Sequence, residues 1–525
     1  MQSDILILGS GLSGLTFGAL MARCAGRKVR VLEAHEHAGG YGHTFAFGKD
    51  GDSVRFNAQL HYVWNCGPGR TVDNVLQKLG LGGRITFEQL DHNGFDHMRA
   101  PGYALDIPYS RELLLERLAR LFPDGVAACK AFLDEAWATD AALARVTGSG
   151  VKDLARGLPG LRLLLRYRNA TLQDVFDRFA VPRAAQTLLA LQWPDFLLPP
   201  NQLSFFSWVL LFTGYCKGAY YPTHHFEHVI NTLVETITAA GGEVLLGRRV
   251  INILMENGRA CGALVERVDA RGVATGETEE FRAAEVVSNM DPRKTAEMVG
   301  LERFAPSVRR RLGYSYSASN FMAYCVVEGL DLREHGFGRW NTFHAESLDL
   351  NAAFESMMVR GDYSHISFAA CTPSLMTDSG GDVAPGKQIL ELLTVANYDR
   401  FLRLELGDPR AYRAKKQEIF DRMLDVLERD HVPNLRKHLV FKMTGSPTTN
   451  ERFVLAPQGN SYGADMTPKQ FGLGRPNHFT SIPGLHFCNA SAGYPGFSGT
   501  FWTGSRLYEV LTGDSVHHGP HVRTA

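Results

Sequence analysis

The sequence predicts an α/β protein of two interleaved domains, and three observations predict it. A strand, a glycine loop, a helix and a second strand follow one another within about thirty residues of the N-terminus. A strand-rich stretch returns at 243–287, with helix-like segments before it and a mixed block after it. The chain has 525 residues, more than one hydrophobic core usually organises.

The first unit reads Ile5-Leu6-Ile7-Leu8 as strand, Gly9 to Gly14 as loop, Leu15 to Ala25 as helix and Val29-Arg30-Val31-Leu32 as strand. Arg111 to Phe122, Gly125 to Arg145 and Thr171 to Phe179 follow with helical patterning. The most apolar run, Leu203 to Tyr215, is interrupted by Ser204, Ser207 and Thr213. It falls short of the roughly 20 residues that cross a bilayer, so it reads as a buried segment or as the wall of an apolar tunnel or membrane-dipping surface. Glu243 to Leu246, Val250 to Leu254, Gly262 to Val265 and Glu285 to Val287 read as strands, broken by turns at Glu256-Asn257-Gly258 and Asp269 to Gly272. The block 305–439 reads as mostly helical and irregular, and a last helix covers Phe501 to Leu511. This alternation predicts that 1–100, 218–300 and 440–525 assemble one nucleotide-binding domain. Residues 101–217 and 301–439 would then form a helical or mixed cap facing the substrate.

Composition narrows the partners. Lys+Arg and Asp+Glu are both 55, so no overall field draws the chain to nucleic acid. The eight cysteines are scattered with no CxxC or zinc-type cluster, which points to a reduced compartment. No basic leader precedes the first strand, and a cytoplasmic location is expected. Between Leu154 and Arg168, Arg156, Arg162, Arg166 and Arg168 alternate with leucines, a pattern suited to transient contact with anionic lipid and equally to a solvated helix. His517, His518 and His521 lie in a polar tail expected to be disordered, so no metal site is read there.

Gly9-Ser10-Gly11-Leu12-Ser13-Gly14 is GxGxxG between a strand and a helix, with Glu33 at the end of the next strand. Gly9 suits the tight turn, Gly11 the close approach of backbone to a pyrophosphate, and Gly14 the packing of helix on strand. Leu12 and Ser13 open the helix, whose free N–H groups and positive dipole end face the diphosphate. Glu33, followed by Ala34, would accept from a ribose hydroxyl. Gly39-Gly40 and then His43-Thr44 extend the fingerprint in the Glu-x5-Gly-Gly spacing common to FAD enzymes of the glutathione-reductase-like type. FAD is therefore the expected cofactor. No second GxGxxG follows a strand, so no separate NAD(P) domain is visible; NAD(P)H, quinone and oxygen stay open as electron partners.

Longer segments resemble one family. Ala38 to Phe45, Phe56 to Tyr62, Lys217 to Pro222, Ala240 to Val244, Val287 to Pro292 and Pro483 to Gly504 resemble the retinol saturase and carotenoid isomerase branch of the phytoene desaturase family. The resemblance implies cofactor contacts at Val250, Asn289, Asn489, Ser491 and Thr500. It also implies that the segment before His61 and Tyr62 runs beside the flavin, so these two could donate a proton, shape a tunnel or only pack. His224 and His225 could be an acid/base pair, or line a pocket or the first turn of a helix. The chain departs from the family at Tyr41, where amine-oxidase-like relatives carry Arg or Lys, at Asn57 and Gln59, at Thr223-His224-His225, and at Asn489 in place of a glycine.

The implied chemistry is saturation, desaturation or cis–trans isomerisation of C=C bonds in a carotenoid, retinoid, isoprenoid or fatty-acyl lipid, with the flavin carrying the hydride. Phe205, Phe206, Trp208, Phe212, Phe497, Phe501 and Trp502 are aromatic residues suited to an apolar channel or to core packing. An amine-oxidase-type enzyme acting on C–N bonds and a non-enzymatic prenyl-lipid escort share the nucleotide fingerprint and stand as alternatives.

Overall fold

A computed structural model describes residues 3–48, 53–148, 158–378 and 382–517. The N-terminal unit forms as the pattern requires: β1 (Ser3–Leu8), α1 (Leu12–Arg23) and β2 (Val29–Leu32). Ile5 to Leu8 are all buried, as befits a strand covered on both faces, and β1 lies at the centre of a parallel ladder. It pairs with β2, Ile5 against Val29 and Leu8 against Leu32. On its other side it pairs with Ala274–Ser288, Ile5 against Glu285 and Leu8 against Ser288. Glu243–Leu245 adds beyond β2, and Leu485–Phe487 pairs with the end of Ala274–Ser288. Two antiparallel strands, Arg259–Val268 and Arg248–Glu256, complete this seven-stranded sheet. Their connection is the Asn257-Gly258 turn read from the sequence.

A second seven-stranded sheet has the order 439–445, 319–328, 387–396, 367–371, 341–345, 96–100, 103–107. Four of its strands lie in the block expected to be mostly helical and irregular, and this corrects that expectation. Ser319–Glu328 is buried at nine consecutive positions and Lys387–Ala396 at its last eight. A strand buried on both faces has no two-residue alternation, so its pattern does not separate it from a buried helix. The same block also holds long helices, Tyr398–Gly407 and Pro409–Asp430. Pairing also carries 96–107 and 439–445 into the second sheet, across the boundaries read at 100 and 440.

The apolar run is helix α2 (Phe205–Cys216), and it is core. Trp208 stacks on Phe212 at 4.6 Å and on Phe205 at 6.3 Å, and its Nε1–H donates to the Leu189 carbonyl at 3.1 Å. Phe205, Phe206, Trp208 and Phe212 are thus buried packing residues. Among the described residues no helix is long and apolar enough to cross a membrane.

Helix α3 (His225–Ala239) and the last helix, α4 (Phe497–Thr512), both pack on α1. Every residue of α1 from Leu12 to Ala22 is buried, so it is apolar all round because it has no solvent face. At the α1–α4 crossing a Cβ on Gly504 would lie 2.5 Å from the Ser13 carbonyl, which no side chain tolerates. His517 is not part of a loose tail: its Nε2 lies 2.7 Å from Ser505 Oγ, and its N–H donates to Glu509 Oε1 at 3.1 Å. His518, His521, Leu154 and Arg156 lie outside the described residues. Arg162, Arg166 and Arg168 are exposed, as are Leu161 and Leu165 beside them.

Candidate functional site

A cavity of about 470 Å³ runs from Glu33 at the end of β2, past the glycine loop, to the start of α4. Of the expected cofactor residues, Gly9, Gly11, Leu12, Ser13, Glu33, Ala34, Gly39, Gly40, His43, Val250, Asn289, Asn489, Ser491 and Thr500 line it. Gly14 and Thr44 do not. Gly14 lies beneath the loop, where an added Cβ would sit 3.0 Å from Asn289 Cγ and 3.2 Å from the Gly9 carbonyl. Thr44 opens the strand Thr44–Phe47 and turns its Oγ1 to Asn57 Oδ1 at 3.5 Å.

The glycine loop is built around Asn289. Gly11 N–H donates to Asn289 Oδ1 at 2.8 Å. Asn289 Nδ2 donates to Ser13 Oγ at 2.8 Å and to the Cys488 carbonyl at 2.5 Å. A Cβ at Gly11 would meet Oδ1 at 2.5 Å. The space beside that glycine is filled by Asn289, which also engages its N–H. The first turn of α1 has no side-chain cap, which leaves its N-terminal donors and dipole end for an anion.

Glu33 is held in place before any ligand arrives. Its Oε2 accepts from Ser10 N–H at 2.8 Å and Ser10 Oγ–H at 2.6 Å, and its Oε1 from His35 N–H at 2.8 Å. A carboxylate has about four lone-pair sites, two on each oxygen, so Oε1 retains capacity for a ribose hydroxyl. Gly39 bridges in parallel to Gly11, which lays the second glycine pair along the first loop. His43 turns Nδ1 to the Gly40 carbonyl at 2.7 Å, and burial lowers its pKa below the usual imidazole value.

At the far end Asn489 forms a turn with its side chain: Oδ1 accepts from Ala492 N–H at 2.9 Å and Nδ2 donates to the Met290 carbonyl. Ser491 Oγ accepts from Ala464 N–H at 3.0 Å. Arg475 was not legible as a site residue, yet it ties these loops together. Its guanidinium, 4% exposed, donates to the carbonyls of Gly493, Ala490, Ala464 and Asp465. Burial lowers its pKa to about 10. Sequence reading also missed Asn460 and Tyr462, which line the cavity; the glycines at 459 and 463 around them are the signal that could have found them. Tyr41 donates its hydroxyl to the Asn460 carbonyl at 2.6 Å.

The acid/base candidates lie outside this lining. His225 Nδ1 is 2.5 Å from Asp382 Oδ2 and 3.4 Å from Tyr221 Oη, at a backbone φ of +64°. A histidine in that region is held there by its surroundings, and the buried contact with Asp382 is the visible restraint. His61 Nδ1 is 3.1 Å from Glu391 Oε2. Tyr62 Oη is 3.0 Å from Asp195 Oδ2 and 3.1 Å from Asp96 Oδ2. A phenol has one proton to give, so one of these carboxyl groups supplies the other hydrogen bond. Burial accordingly raises Asp195 to about 7 and pushes Asp96 and Glu391 up as well.

A family model described as an NAD(P)-binding Rossmann-like domain matches residues 7–79. All-trans-retinol 13,14-reductase of Macaca fascicularis is 27% identical over 498 residues, covering 88% of this chain and 77% of that protein. The chloroplastic prolycopene isomerase of Arabidopsis thaliana is 25% identical over 285 residues, 53% of this chain and 43% of that one. These proteins are homologues of this chain. The resemblance carried by the motifs extends over most of its length. Among solved structures, wild-type putrescine oxidase bound to putrescine shares the fold, with a TM-score of 0.59 and 15% identity, covering 98% of this chain and 100% of that one.

Proposed function

We propose that the chain is an FAD-dependent oxidoreductase acting on carbon–carbon double bonds of a long hydrophobic substrate of the retinoid, carotenoid, isoprenoid or fatty-acyl kind. The observation that carries the reading is a single cavity lined by Glu33, the glycine loop, Gly39-Gly40, and the Asn489 and Thr500 segments, in a chain whose homologues include retinol reductases and a prolycopene isomerase. The fit to a dinucleotide is physical: uncapped helix donors for phosphate, a pre-oriented carboxylate for ribose, and glycine backbone along the wall. Bound there, a flavin supplies hydride exchange with the substrate. The protein's own part is to position it, to exclude water, and to hold a proton where the second carbon reacts. The likeness to putrescine oxidase is one of fold, and nothing in the site favours C–N chemistry over the C=C reading. Arg162, Arg166 and Arg168 with exposed Leu161 and Leu165 support transient contact with an anionic membrane surface, a route for an insoluble substrate.

The test is spectroscopic. Natively purified protein should show flavin absorbance, released as FAD on denaturation. Anaerobically, substrate bleaching of the oxidised flavin indicates desaturation, reoxidation of the pre-reduced flavin indicates saturation, and an altered product of unchanged mass indicates isomerisation. Protein that stays colourless after reconstitution with FAD, or that gives none of the three with any retinoid, carotenoid or acyl lipid, ends the proposal.

A further inference from the structure

The loop after the strand Val54–Asn57 carries His61 against the second sheet, and two contacts hold it there. Glu391, 1% exposed on Lys387–Ala396, meets His61 Nδ1 at 3.1 Å. Cys371 stands directly opposite Glu391 on the neighbouring strand, and its Sγ–H donates to the His61 carbonyl at 3.7 Å. Ring and backbone are both tethered. With Nδ1–H turned to the carboxylate, Nε2 is the nitrogen left for chemistry, and it is shut off from solvent without a hydrogen-bond partner. Glu391 Oε1 is likewise buried and unpartnered. Buried polar atoms in that state are costly and cluster at functional sites. The two residues preceding His61, Gln59 and Leu60, line the dinucleotide cavity, so the loop that carries His61 borders that cavity.

We infer that His61 is the proton donor of the proposed C=C reaction and that Glu391 is the residue that positions it. The inference rests on the double-bond reading given above. In a saturation a reduced flavin bound in that cavity would supply the hydride, with its two electrons, to one alkene carbon, and His61 Nε2 would give the proton to the other. The Nε2–H bond would break with its electron pair kept on the nitrogen, and the ring would keep Nδ1–H on Glu391. In the desaturation direction Nε2 accepts the proton instead. The groups around the ring suit that duty. Glu391 faces it from one strand and the Cys371 thiol from the next, while the Asp195 carboxyl, bonded to Tyr62 and through it to Asp96, lies near enough to act on it electrostatically. Beyond Glu391 lies Asp382, paired with His225.

The test uses the flavin-loaded protein and the variants H61Q, E391Q and E391D, each first shown to keep its flavin spectrum. Proton NMR of wild type should show a downfield Nδ1–H resonance that vanishes in both H61Q and E391Q and returns in E391D; absence of this resonance in wild type overturns the pairing whatever the activity. Anaerobic reoxidation of reduced flavin by a polyene should slow by about 100-fold or more in H61Q. In E391Q it should slow by about tenfold or more with a displaced pH profile, partly recovered in E391D. H61Q reacting at the wild-type rate with an unchanged pH profile overturns the proton-donor role alone. Wild type that reacts with no double-bonded substrate overturns the functional reading, and this proposal with it.

Discussion

Gly11 can be tested for what it does before a cofactor binds. Its φ and ψ of −61° and 158° are freely available to alanine, so G11A introduces no backbone strain. The obstacle is Asn289 Oδ1, 2.5 Å from the added Cβ. To admit the methyl group, Asn289 must move and loosen its bonds to Gly11 N–H, Ser13 Oγ and the Cys488 carbonyl. At a net ~0.5–1.5 kcal/mol each, with partial compensation by water at a part-buried site, the loss comes to about 2–3 kcal/mol. In an N289A background that obstacle is gone, and G11A should then cost less than about 0.5 kcal/mol. Urea midpoints of the flavin-free wild type, G11A, N289A and the double variant measure the coupling directly. Equal destabilisation by G11A in both backgrounds would refute the claim that Asn289 is what excludes a side chain at position 11.

The same structure makes three further predictions. Asp195, raised by burial to about 7 against an unfolded value of about 3.9, contributes stability that is complete below about pH 4 and lost as pH rises through 7; this is worth up to about 4 kcal/mol, less for its partial exposure. D195N should therefore flatten the fall in urea midpoint between about pH 4 and 7, and an unaltered slope would show that Asp195 does not titrate there. G504A forces α1 and α4 apart at a contact of 2.5 Å and should destabilise by about 1–3 kcal/mol in thermal unfolding; a neutral result would mean the crossing is looser than described. W208A removes a fully buried ring from the core and should cost about 3–5 kcal/mol while leaving the flavin content per folded protein unchanged. Loss of flavin from folded W208A would instead place α2 at the cofactor site.

The dinucleotide end of this protein was legible from residues 5–44 because its determinants are local. A strand, a glycine loop, an apolar helix and Glu33 lie within one βαβ unit, so spacing along the chain becomes spacing in the fold. Tertiary structure alone decided the rest. Asn289 reaches Gly11 across 278 positions, Glu391 reaches His61 across 330, and Arg475 gathers carbonyls from two loops. The second sheet was hidden for a related reason: strands covered on both faces lose the alternation that marks a strand, and only their partners reveal them. Periodicity and motif report what a residue does with its neighbours in sequence. Which buried polar groups meet, and so which of them must share a proton, is settled by chain segments that no spacing connects.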